Sequence, residues 1–123
     1  MAPVPWRDIA LVALGGALGC LARFAVSSAW PRIGFPWHTL AVNLAGSFIL
    51  GALFLDHGME HPARLAIAVG FLGGFTTLST YSAETVDLWR SGHVGVALAN
   101  GVANGAGGPL LALAGWRLAV LAA

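Results

Sequence analysis

Apolar residues gather in four long segments along this chain. The first runs from about Ile9 to Trp30 and is interrupted only by Arg23. The second, about Pro36 to Leu55, carries no formal charge, and the third, Leu65 to about Leu88, is uncharged until Glu84. The fourth runs from about Val94 to Leu121 and is uncharged until Arg117. Each approaches or exceeds the roughly 20 residues that an α-helix needs to cross a bilayer. The joints WPRIGFPW, DHGMEHPAR and RSGH are short and leave no room for a soluble lobe. The pattern predicts an all-α, polytopic membrane protein, a single domain over residues 1–123 with spans at about 9–30, 36–55, 65–88 and 94–121. Trp6, Trp30, Trp37, Trp89 and Trp116 fall near the expected span ends, as an interfacial aromatic belt requires.

Composition agrees with the segments. Hydrophobic residues make up 58% of the 123 positions and charged residues 9%, against roughly a quarter charged in ordinary soluble chains. The six basic residues are all Arg and are scattered, whereas a nucleic-acid binder clusters them on one face. The single cysteine, Cys20, forms no internal disulfide. Arg7 followed by an apolar run ending in GALGC resembles a lipoprotein signal. Ala17 replaces the usual Leu, Asp8 spoils the positive start, and further apolar segments follow, so residues 9 to 29 read as a retained span.

Across four spans Arg7, Arg64 and Arg117 fall on one side, and Arg32 and Arg90 on the other. The positive-inside rule returns no orientation from so small a bias. Two explanations fit: chance in a small protein, or a chain that inserts both ways round and pairs with an inverted copy. Small residues four apart recur on every span: Gly15 and Gly19, Ser47 and Gly51, Gly70 and Gly74, Gly101 and Gly105. Such spacing lets helix backbones approach closely in lipid, and its presence on all four spans predicts an oligomer.

Few polar residues interrupt the segments: Arg23, Asn43, Ser47, the run Thr76, Thr77, Ser79, Thr80 and Tyr81, then Glu84, Asn100 and Asn104. Buried polar groups are costly in a bilayer unless paired or facing water. The hydroxyl run follows Gly73 and Gly74, which predicts that the third helix unwinds there. Backbone freed at membrane depth persists only where protein, water or an ion satisfies it. Free carbonyls suit a cation, and hydroxyls and amides suit an anion. Asn43 is either a donor on a path or an interhelical clamp. Asn100 and Asn104 share a face of the fourth helix; Asn104, lying deeper, is the path candidate, and Asn100 a packing residue. Arg23 and Glu84 lie near opposite ends of their spans, where snorkelling explains either one; Arg23 could equally draw anions to a vestibule. His38, His57, His61 and His93 fall at or outside span ends and are expected to be interfacial. No nucleophile–base set, cysteine pair or phosphate loop points to an enzyme. Neutral donors along a path suit a small anion that must bind weakly enough to leave.

GGALGCLARF, HTLAVNLAGSFILG and GFLGGFTTLSTYSAE resemble the three signature stretches of the Fluc (CrcB) fluoride channels, and the resemblance covers the whole chain in length and span count. It implies a passive fluoride channel of the bacterial inner membrane, built as an antiparallel dual-topology dimer with two pores at the interface. It also implies a central sodium ion held by the backbone carbonyls of Gly73 and Thr76 in the broken third helix. By the same resemblance the fluoride path involves Asn43, Ser79, Thr80, Glu84, Asn104 and Arg23. Family members usually read TTFSTF after the glycines, with Phe ring edges toward the ion; here Leu78 and Tyr81 stand at those positions. The chain is then either a homodimer with altered ring contacts or one half of a heterodimer. A small proton-coupled drug exporter needs a carboxylate within its first helix, where only Asp8 stands at the edge. An adaptor without transport has no use for a broken span.

Overall fold

The structure, a computed structural model, describes residues 3–54 and 59–123. The described residues contain helix and no strand. Helix α1 covers Trp6–Ala29 and α2 covers Trp37–Phe54. A short turn α3 (His61–Ala63) leads into a π-helical segment, Arg64–Leu72, and then α4 (Gly73–Phe75). Helix α5 (Leu78–Arg90) and helix α6 (Val94–Ala122) follow. The stretches Trp6–Ala29, His61–Arg90 and Val94–Ala122 are each long and apolar enough to cross a membrane; Trp37–Leu53 is a shorter apolar helix. The protein is thus an all-α, polytopic integral membrane protein. The Leu55 end of the second expected span and His57 lie outside the described residues.

Local chemistry explains the boundaries. Trp30 leaves α1 in extended conformation (φ −104°, ψ 135°), as a residue preceding a proline prefers. Gly34 turns the following loop with φ 72°, a left-handed angle that costs glycine little. At the same end of the molecule α5 stops in a Schellman motif. The His93 N–H donates to the Leu88 carbonyl at 2.9 Å and the Gly92 N–H to Trp89 at 3.1 Å, with Gly92 at φ 86°.

Two helix pairs form the core: α1 lies on the π-helical segment and α4, and α2 lies on α6. The glycines fix both contacts. A methyl added at Gly15 or Gly19 would strike the carbonyl of Ala66 or Phe71, and one at Gly74 would meet the Gly16 carbonyl at 2.5 Å. Gly51 and Gly115 press in the same way on the backbones of Ala112 and Phe48. The expected glycine faces therefore serve packing within the chain on the first three spans. The fourth differs: Gly105 faces open space, Gly101 has only the Tyr81 hydroxyl near, and the glycines against α2 are Gly107, Gly108 and Gly115 instead.

The third span departs most from expectation. Its first half is π-helical, a wide turn that inserts an extra residue and is frequent near functional sites. The chain unwinds at Thr76 (φ −84°, ψ 155°) and Thr77 (φ −149°, ψ 111°). Gly73 and Gly74 remain helical, so the break lies past the glycines expected to cause it. Gly74 is needed for close approach to α1, and it is Asn43 that draws Thr77 out of the helix.

Candidate functional site

Asn43 stands on α2 facing the break. Its Oδ1 accepts the Thr77 N–H at 2.7 Å, and its Nδ2 donates to the Thr77 carbonyl at 3.1 Å and to Asn104 Oδ1 at 2.9 Å. An extended residue presents its N–H and C=O to one side, and a side-chain amide matches both. In an unbroken helix the Thr77 N–H would donate to the Gly73 carbonyl; bonding to Asn43 releases that carbonyl. The Thr80 N–H, the helical partner of the Thr76 carbonyl, donates instead to Thr77 Oγ1 at 3.1 Å, capping α5. The two carbonyls expected to hold a cation, Gly73 and Thr76, have thus lost their helical partners. The neighbouring Gly74 carbonyl is taken by Arg23 Nε at 3.0 Å, a cation at a helix C-terminus, where the dipole favours it.

A chain of amides runs away from the break. Asn104 Nδ2 donates to Asn100 Oδ1 at 3.0 Å and to the Asn100 carbonyl at 3.1 Å. Asn100 Nδ2 donates to Thr85 Oγ1 at 2.9 Å, and that hydroxyl donates to the Tyr81 carbonyl at 2.8 Å. Asn100 is wholly buried. Both amide hydrogens of Asn43 and of Asn104 are therefore spent on protein acceptors, which makes Asn43 the clamp that its sequence position left as one of two readings. Asn100, expected to pack, is the hinge between α5 and Asn104.

Two grooves flank Thr77. One, about 480 Å³, is lined by Asn43, Gly73, Thr76, Leu78, Tyr81 and Asn104, among others. The second, about 370 Å³, is lined by Arg23, Arg32, His38, Thr39, Thr80 and Glu84 together with Cys20. Six of the expected site residues thus gather in the first groove and Arg23, Thr80 and Glu84 in the second. Ser79 is exposed and touches the network only through Thr77 Oγ1 at 3.3 Å. Thr77 Oγ1 donates to Thr80 Oγ1 at 3.0 Å, which leaves the Thr80 hydroxyl hydrogen free for a ligand. The Tyr81 hydroxyl has no hydrogen-bond partner among the described residues.

Glu84 is neither a free carboxylate nor a snorkelling one. Its Oε1 accepts from Thr39 Oγ1 at 2.8 Å and lies 3.0 Å from His38 Nε2. His38, expected at the interface, is buried at 7% exposure. It precedes Thr39 in the first turn of α2, and both reach across to α5. Reasoning on the sequence also missed Thr39, Thr85 and Pro109, which sits within α6 beside the first groove. The spacing of Thr39 and Asn43, one helical turn apart in HTLAVN, was the available signal.

Apolar side chains line the outside and hydrogen-bonded polar groups the inside, around one broken span. That is the layout of an integral membrane protein with a polar track for a small solute. The sequence profile of the CrcB-like protein, Camphor Resistance (CrcB) family matches residues 10–116, and the chain belongs to that family. Relatives named "Fluoride-specific ion channel FluC" include one from Saccharophagus degradans, 50% identical over 76% of this chain and 74% of its own. Another, from Thermus thermophilus, is 49% identical over 88% of this chain and 90% of its own. A protein named "Fluoride-specific ion channel FluC 2" from Haloarcula marismortui is 48% identical over 76% of this chain and 78% of its own.

Proposed function

We propose that this protein is a fluoride channel rather than an enzyme, passing fluoride down its gradient and so lowering its internal concentration. One observation carries the reading: the third span is broken at Thr76–Thr77 and held open by the Asn43 amide, between two grooves. A fluoride ion is small and strongly hydrated, and it enters only where donors replace its water. The donors left over are the Thr80 and Tyr81 hydroxyls and the Leu78 and Ser79 amides at the start of α5, which precede the first intrahelical bond. Fixed amides and a clamped backbone keep the path narrow, which supports rejection of larger halides. Arg23 adds positive charge next to the break without facing the ion directly, so attraction does not become trapping.

The working unit in this reading is an antiparallel dimer of four-span chains. The negligible Arg bias supports it, as does Leu78, 75% exposed beside the first groove. A sodium ion fits the released Gly73 and Thr76 carbonyls: they are neutral oxygens, and Gly73 faces open space. Held there by both copies, it would supply a fixed positive charge at the centre. Leu78 and Tyr81 leave homodimer and heterodimer as the two forms of this proposal. Fluoride efflux from liposomes holding the purified chain alone tests both. Efflux from the chain alone supports the homodimer, and efflux only with a second homologue supports the pair. Silence in both arrangements would sink the channel reading.

A further inference from the structure

We propose that Ser47 is a further fluoride-contacting residue, carrying the ion on from the break through the first groove; this rests on the channel reading above. Thr39, Asn43 and Ser47 stand four residues apart on α2 and so share one face, each step about 6 Å along the helix. The row leads from the second groove, which Thr39 lines, past the break to the first, which Asn43 and Ser47 line. Two of its members are occupied. Thr39 Oγ1 donates to Glu84 Oε1 at 2.8 Å, and the Asn43 amide is spent on Thr77 and Asn104. The Ser47 hydroxyl has no hydrogen-bond partner among the described residues. Thr80 and Tyr81 present free hydroxyls on the α5 side of the break; Ser47 presents one on the α2 side.

A hydroxyl within a membrane helix ordinarily bonds back to its own helix. Thr76, Ser82 and Thr85 do so, each to the carbonyl four residues earlier, at 2.9, 2.8 and 2.8 Å. Ser47 instead turns its hydroxyl toward α6, where Gly108 has no side chain to cover it: a methyl placed at Gly108 would lie 3.4 Å from Ser47 Oγ. Leu50, Ala68, Leu72 and Ala112 make the surrounding wall of the groove apolar, and an unused hydroxyl among such groups is costly. A small anion in the groove takes up its hydrogen. A second polar group is left over on the facing helix. Pro109 has no N–H, so the Gly105 carbonyl four residues earlier lacks its helical donor, and both residues line the same groove. A carbonyl only accepts, so it does not touch an anion directly. It can hold a water, whose other hydrogen reaches the ion. Ser47 and that water replace part of the hydration shell beyond the clamp, where the Asn43 and Asn104 amides are already spent.

The test is fluoride current across planar bilayers holding the full chain, with Ser47→Ala against wild type over a range of fluoride concentrations. Both side chains are small, so a serine that only packs against α6 is replaced without consequence. A serine that touches the ion takes with it a hydrogen bond to a charged group, and current at low fluoride is expected to fall on the order of tenfold. The half-saturating fluoride concentration rises by the same factor, while the unfolding temperature does not fall and the size-exclusion profile stays as in wild type. Ser47→Gly, which also lacks the hydroxyl, takes the place of Ser47→Ala should that variant fail to assemble. Wild-type current in Ser47→Ala overturns the proposal, and so does a lowered current with an unchanged half-saturating concentration. Loss of assembly in both variants assigns Ser47 to packing and likewise overturns it. No current from the wild-type chain, alone or with a second homologue, overturns the channel reading and this inference with it.

Discussion

Asn43 does with one amide what a strand neighbour does with backbone. It meets both polar groups of Thr77 and holds Asn104 with its second hydrogen. Asn43→Asp would turn that nitrogen into an oxygen aimed at two acceptors, the Thr77 carbonyl and Asn104 Oδ1. The expected cost is on the order of 3 kcal/mol in stability, with fluoride efflux lost; thermal unfolding and liposome efflux check the two effects. Normal efflux in that variant would remove the clamp from the mechanism. Thr80 separates lining from clamping. Thr80→Val deletes a hydroxyl hydrogen that no protein group uses, together with the oxygen that accepts from Thr77 Oγ1, while leaving the Thr80 N–H on Thr77 Oγ1. Efflux is expected to fall about tenfold, a barrier rise of about 1.4 kcal/mol, with a stability cost of only about 1 kcal/mol for the lost hydroxyl bond, smaller than that of Asn43→Asp.

The third span decides where the site lies. Glycines 73 and 74 marked it in the sequence, and the break was legible there to within a turn. What the sequence did not show was the agent, because Asn43 sits on another helix, 34 positions away along the chain. Nor did it show the π-helical segment, since Arg64–Leu72 reads as ordinary apolar helix and its wider turn depends on packing against α1. The glycines divide by contact. Gly74→Ala drives a methyl toward the Gly16 carbonyl and the Cys20 backbone, neither of which is the end of a flexible side chain. It is expected to cost about 1–3 kcal/mol. Gly73→Ala meets nothing within the chain and, as a helix position, should gain a few tenths of a kcal/mol or remain neutral in the monomer. Comparing the two variants by unfolding and by size-exclusion assembly tests this assignment. Loss of the proposed dimer in Gly73→Ala alone would mark that surface as covered by a second copy.

On the scale of the whole molecule the usual arrangement of a soluble core is partly inverted. Among the described residues the largest fully buried side chains are Leu72, Val42, Asn100 and Thr39, two apolar and two polar. Leu14, Leu18, Phe24 and Leu78 are each more than 60% exposed. Span number and the polar inventory could be read from the chain because lipid imposes them residue by residue. The roles of His38 and Asn100 could not, because position near a span end says nothing of which neighbour a ring or amide reaches. The proposed central cation yields a whole-molecule prediction: purification with sodium replaced by a bulky organic cation should shift the assembly toward monomer on size exclusion, and restoring sodium should reverse it.

The most direct measurement of the central claim is the reversal potential of the reconstituted chain under a fluoride-against-chloride gradient. A path built from a few fixed hydroxyls and amides around a clamped break predicts a potential set by fluoride, with chloride permeating at least about a hundredfold less, roughly 2.7 kcal/mol of discrimination at tenfold per 1.4 kcal/mol. Equal permeation of the two ions, or a potential that follows a cation gradient, would contradict it.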